Sequence, residues 1–206
     1  MSTNQEAKNA YEKVYPYIQG FLCADHPFRK GAVCPFVPSA IKYNNIYFTY
    51  FDNADENQVC ILIDKLITEY LGIKNASKNK YLSIIVLFPE NYSIETLAKV
   101  HIQSKIPCIN NHIMLGVLFA DNNAPSLHST SFFPLRTQVP CLVMRDLTVH
   151  DLLFLNPKHY SIKQRINFLQ KFIERFNNTT SIKNQEEVLQ AKQLLNDYLQ
   201  EISNAQ

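Results

Sequence analysis

His26 and Cys34 flank the segment PFRKGAV in the run HPFRKGAVCPF, residues 26–36. An imidazole beside a thiol is the pairing that activates a cysteine nucleophile, because the histidine takes the thiol proton and the thiolate attacks. Such a pair needs a third group to orient the imidazole, and the sequence identifies none. Cysteine followed by proline, as in Cys34-Pro35, also recurs where a thiolate serves as an axial haem ligand. The structural alternative has Pro27, Pro35 and Pro38 fixing an extended segment, with Cys34 packed inside as a small hydrophobe.

His128 sits within APSLHSTSFFPLR, off any apolar face, so burial in a core does not explain it. It could serve as a metal or haem ligand, act as an acid–base group, or simply face water. Arg136 and Arg145 bracket the start and end of VPCLVMRDL. A guanidinium buried in that apolar run needs a partner. Arg145 therefore either pairs with a carboxylate, Asp146 or Asp151, or clamps an anionic ligand. His101, His112, His150 and His159 show no mutual spacing that builds a site. P-loop, GxGxxG, HExxH and GxSxG signatures are absent, and with four glycines in the chain a glycine-cradled nucleotide is not expected.

The segments 23–44 and 120–138 that carry these residues are long loops, and the elements between them must position them. Residues 4–22 have helical spacing, with Pro16 predicting a kink or restart, and irregular structure is expected from there to about Tyr43. NIYFTYF (45–51) predicts a strand, and NADENQVCILIDKLITEYLG predicts a helix stopped by Gly72. YLSIIVLF (81–88) is apolar on both faces, which predicts a covered central strand. A helix over 93–105, strands at 112–120 and 139–147 and a short helix at VHDLLFL complete this part. Two amphipathic segments follow: Ile162, Ile166, Leu169, Ile173 and Phe176 on one, and Val188, Ala191, Leu195, Leu199 and Ile202 on the other. They predict an antiparallel helical hairpin whose seam packs on the protein's own core or on a second copy as a homodimer.

The alternation of strands and helices predicts an α/β (α+β) sandwich, a mixed sheet of about four to six strands covered by helices. Residues 1–156 would form this domain, with residues 157–206 as the hairpin packed on it. A net charge of +2 and scattered basic residues, with KNASKNK (74–80) as a solvated loop, argue against a nucleic-acid partner. No segment approaches the about 18 consecutive apolar residues of a membrane span. The polar N-terminus MSTNQEAKNAYEKVY lacks a signal-peptide core, so a cytoplasmic location is expected. Five cysteines without a CxxC pair argue against a disulfide framework or a structural zinc site.

GAVCPFVPSA (31–40) and LHSTSFFPLRTQVPCLVMRDLTVHDLLFL (127–155) resemble an uncharacterised bacterial family. That family shares a G-x-VCPF loop and an F-x-PLR-x-x-VP-x-L-x-x-R segment leading into a D-x-x-FL helix, and is often encoded near specialised-metabolite genes. More distantly, the layout is similar to YqcI/YcgG-type haem proteins, some of which N-hydroxylate guanidine-containing substrates. This likeness implies His128 as the axial haem ligand and Arg136 as a propionate or substrate partner. The chain departs from those proteins at VCPFVP and at LFADNNAP, where a second histidine would be expected.

The leading expectation is a haem-binding, oxygenase-like enzyme acting on a small nitrogen-containing metabolite. His128 would ligate the iron, Arg136 and Arg145 would anchor carboxylates, and Cys34 and Phe36 of the loop would line the pocket. The alternatives are a cysteine enzyme with Cys34 as nucleophile and His26 or His128 as base, and a non-catalytic module that binds a protein through the helical hairpin.

Overall fold

The computed structural model describes residues 3–52, 55–77 and 81–204. Helix α1 (Thr3–Pro16) passes at the proline into one π-helical turn, Tyr17–Phe21, which is the restart that Pro16 predicts. The stretch expected to be irregular holds a short helix, α2 (Val37–Lys42), with Pro38 in its first turn, where a missing N–H costs nothing. Strand β1 (Ile46–Tyr50), helix α3 (Glu56–Ser77), strand β2 (Ser83–Leu87), helix α4 (Ile94–Asn110) and strand β3 (Ile113–Leu118) follow. Strand β4 (Cys141–Asp146), a 3₁₀ turn at Val149–Phe154, and helices α5 (Ile162–Phe176) and α6 (Ile182–Asn204) complete the chain.

The sheet is mixed, in the order β1-β2-β4-β3. β1 and β2 run parallel with Ile46 opposite Ser83, and β2 and β4 run antiparallel with Leu87 opposite Cys141. All five residues of β2 are buried, as a run with apolar residues on both faces requires of a central strand. On one face, Ala10, Val14 and Ile18 pack with Ile85, Leu87, Val139 and Cys141. On the other, Tyr70 of α3 donates its hydroxyl to Leu82 O at 3.2 Å, and Leu62 and Leu66 share a groove with Tyr47, Thr49 and Ile84. The fold is therefore the mixed α/β arrangement that the sequence predicts, with helices around a four-stranded sheet.

Two helix ends differ from expectation. α3 runs through Gly72 to Ser77, so Lys74–Ser77 of the expected basic loop are helical, while 78–80 lie outside the described residues. The expected start of α3 at 53–54 lies outside them as well. α4 continues through Pro107 to Asn110, where Asn111 caps it by donating Nδ2–H to Pro107 O at 2.9 Å. Gly72 did not stop its helix because its backbone is ordinary helix, and a Cβ there would meet nothing within 4 Å. Gly72→Ala should therefore raise stability by about 0.5–1 kcal/mol in a urea titration, through the smaller entropy of the unfolded chain.

The chain divides into two compact units: Met1–Ser104 with Leu115–Asp146, and Lys105–Met114 with Leu147–Gln206. In the second, α5 and α6 form an antiparallel pair: Arg165 Nη1 donates to Tyr198 Oη at 2.9 Å, and Lys192 Nζ to Asn177 Oδ1 at 2.7 Å. Phe168, Leu169 and Phe172 are buried with Val188, Ala191, Leu155 and Tyr160. Among the described residues, no helix is long and apolar enough to cross a membrane.

Candidate functional site

The two loops flagged by sequence meet in the first unit. His26 is buried, and its ring centroid lies 5.5 Å from that of His128 and 4.9 Å from that of Phe132. Phe28 packs edge-on to His26 at 6.2 Å, and Phe21 and Phe28 both lean on Phe132. Tyr17 fastens the second loop from outside by donating its hydroxyl to Pro134 O. Burial first, and then the nearby Cys141 and Cys34 thiols, push the Tyr17 hydroxyl well above its ordinary range, so it remains a donor.

The hydrogen bonds at His26 fix its tautomer. Its Nδ1 accepts the Phe28 backbone N–H at 3.0 Å, so Nδ1 carries no proton and the ring hydrogen sits on Nε2. Nε2–H then donates to Ser126 Oγ at 3.0 Å, and the same oxygen accepts the His128 backbone N–H at 3.2 Å. Ser126 is thus no nucleophile activated by His26, because the imidazole gives it a proton instead of taking one. The serine ties His26 to the backbone of His128 and keeps its own O–H to donate. His128 differs from its neighbour: it is exposed, and neither ring nitrogen has a hydrogen-bond partner among the described residues. Leu127, next to it in the chain, is exposed at 61%.

Protonating His26 would put a second hydrogen against the Phe28 N–H. Burial, then the Arg29 and His128 charges, hold its pKa below the ordinary ~6.5. As pH falls below that value the unfolded chain takes up the proton before the folded one, so stability present above it is lost toward the lower folded pKa. His159, lowered by burial and then by Lys105, adds to the same window. A melting series from pH ~7.5 to ~5 should show a falling Tm, with a visibly shallower fall in His26→Gln and in His159→Asn.

The remaining sequence candidates stand apart from this junction. Arg136 bonds within its own loop, through Nε to Asn122 O at 2.9 Å and Nη2 to Asn123 Oδ1 at 2.8 Å, with its guanidinium 4.1 Å from the Phe133 ring centre. Arg145 donates Nη1–H to Asp146 O at 2.9 Å and lies over Phe36 at 5.8 Å, while the Asp146 carboxylate pairs with Lys74. The Asp151 carboxylate caps its own turn, accepting from Thr148 N at 2.7 Å. Phe36 meets Tyr81, whose φ of +71° is strained for a bulky side chain, at 5.5 Å. Cys34 packs against the α1 cluster with Leu22 and Cys23. His26 and His128 are therefore brought together, Arg145 and Phe36 are brought together, and both His26 nitrogens are occupied by groups other than Cys34.

Of the residues assigned to haem, the fit is to His128 alone. An imidazole without a hydrogen-bond partner among the described residues, beside exposed Leu127, suits a flat apolar group, whereas Arg136 is engaged with Asn122 and Asn123, and Phe36 is engaged with Tyr81. Among the described residues no group of three or more His, Cys, Asp or Glu side chains could hold a metal ion. Sequence reasoning missed Ser126, Phe28 and Phe132. Nothing local in PSLHSTSFF marks a serine whose partner is His26, a hundred positions away.

A family model described as Domain of unknown function (DUF6875) matches residues 11–187, and the chain belongs to that family. No curated protein matches the chain. No solved structure matches it.

Proposed function

We propose that this member of the DUF6875 family is a haem-binding, oxygenase-like enzyme acting on a small nitrogen-containing metabolite, with His128 as the residue that would hold the haem. The observation that supports the reading is the contrast between two adjacent histidines, one consumed by hydrogen bonds and one left free. Haem, when bound, would supply oxygen activation at its iron. The chain's own residues do the rest. Ser126 holds the His128 backbone in register, its hydroxyl hydrogen is available to a ligand acceptor, and exposed Leu127 sheds water beside it. Titrating the purified chain with hemin tests this: a shifted Soret band is expected in the wild type and not in His128→Ala. A wild type that leaves the hemin spectrum unchanged would remove haem from the reading.

One observation favours a second reading, a protein-interaction module. Ile182 and Leu189 lie one heptad apart on the same face of α6 and are 75% and 70% exposed. A homodimer through this face would appear as a doubled mass in light scattering that Leu189→Asp returns to the monomer value.

A further inference from the structure

Residues 24–26 and 31–33 form a small antiparallel hairpin that the secondary-structure pattern alone does not announce. Asp25 and Ala32 pair as a bridge, flanked by His26 N–H to Gly31 O and Val33 N–H to Ala24 O, each at 2.8 Å. Those flanking bonds make Asp25–Ala32 a non-hydrogen-bonded pair, and Cys23 and Cys34 lie just beyond the base of the hairpin, where Leu22 is helical and the Ala24 N–H turns back to Gly20 O. Pro35 has no N–H to continue the ladder, so the Leu22 carbonyl takes the Cys34 N–H instead, at 2.9 Å. That shift draws residue 34 in toward 22 and 23. Both thiols are free, both are half-buried, and both pack against the same apolar cluster, so they leave the hairpin on one side.

The tip holds this register without help. Gly31 takes φ +93°, a value glycine adopts at no steric cost. The Arg29 guanidinium donates to the carbonyls of Lys30, Ala32 and Val33, and the His26 ring accepts from Phe28 N–H. The Cys34 N–H bonds the carbonyl of the residue directly before Cys23, which sets the two cysteine backbones side by side, within the reach of a disulfide. The nearby Cys34 also contributes, after burial, to raising the Cys23 thiol, as two neighbouring thiols must.

We propose that Cys23 and Cys34 are a redox modification site that closes to an intramolecular disulfide across the base of the hairpin carrying His26. The oxidant is a low-molecular-weight disulfide. One cysteine thiolate attacks it and releases the first small thiol, and the second cysteine then attacks the mixed disulfide and releases the other. Two protons and two electrons leave the pair, and the small disulfide is reduced to two thiols. Closure locks the hairpin, and with it the His26 ring that holds Ser126 and the His128 backbone.

The test is to equilibrate the full-length chain with oxidised glutathione, alkylate the remaining thiols and map the tryptic peptides. Arg29 and Lys30 lie between the two cysteines, so cleavage leaves the Cys23 and Cys34 peptides joined only by the bond in question. The expected result is loss of two of the five alkylatable thiols and a linked Cys23–Cys34 peptide pair, absent from Cys34→Ser. Five thiols still alkylated, a bond from either cysteine to Cys60, Cys108 or Cys141, or separate glutathione adducts on Cys23 and Cys34 would each overturn the proposal.

Discussion

Replacing His26 with alanine should lower the unfolding free energy by about 2–3 kcal/mol, while the same change at His128 should stay within about 0.5 kcal/mol of wild type. The reason lies in what each ring touches. His26 is buried against Phe132, accepts the Phe28 N–H and donates to Ser126, so truncation leaves a cavity and unpaired polar groups. His128 is exposed, and its ring makes no hydrogen bond among the described residues, so little is lost with it. Urea titrations of the two variants measure this directly. Equal losses would mean that His128 is a structural residue after all, and that the division between holding and acting histidines is wrong.

The largest stability effect is expected in the second unit. Phe168 and Phe172 are fully buried in the cluster that joins α5 to Val188 and Ala191 of α6. Truncating Phe168 to alanine removes an aromatic ring from a close-packed site and should cost about 3–5 kcal/mol. Gln170 of α5, exposed, serves as the control and should change stability by less than about 0.5 kcal/mol when truncated. Amide exchange should show the loss as faster exchange along α5 and α6 in Phe168→Ala. Protection that is unchanged there would contradict the assignment of Phe168 to that core.

Much of the fold was legible because its signals are local. The run YLSIIVLF at 81–88 reads as a covered strand, and the spacing of Ile162, Ile166, Leu169, Ile173 and Phe176 marks α5. Helix ends were less legible where a residue that permits a stop does not impose one. Gly72 sits in ordinary helix because the apolar face of α3 continues past it, and Pro107 is accommodated inside α4. α2 escaped notice because six residues beginning beside a proline carry too little periodicity to stand out.

The site was legible in its parts and not in its assembly. His26 and His128 attract attention as residue types in glycine-poor, proline-rich loops, and the structure sets their rings 5.5 Å apart. What joins them is a serine hydroxyl and a tautomer, neither of which leaves a mark in sequence. Arg136 shows the converse. It stands out in PLR, yet its donors go to Asn122 and Asn123 of its own loop, a local contact that one sequence does not reveal.

The most direct test of the central claim, that His128 is the acting group of the loop junction, is a hemin titration of wild type, His128→Ala and His26→Gln followed in the Soret region. The account predicts a saturable shift in the wild type, its loss in His128→Ala, and its retention in His26→Gln at a pH where that variant is folded. A shift of the same size in His128→Ala, or none in the wild type, would contradict it.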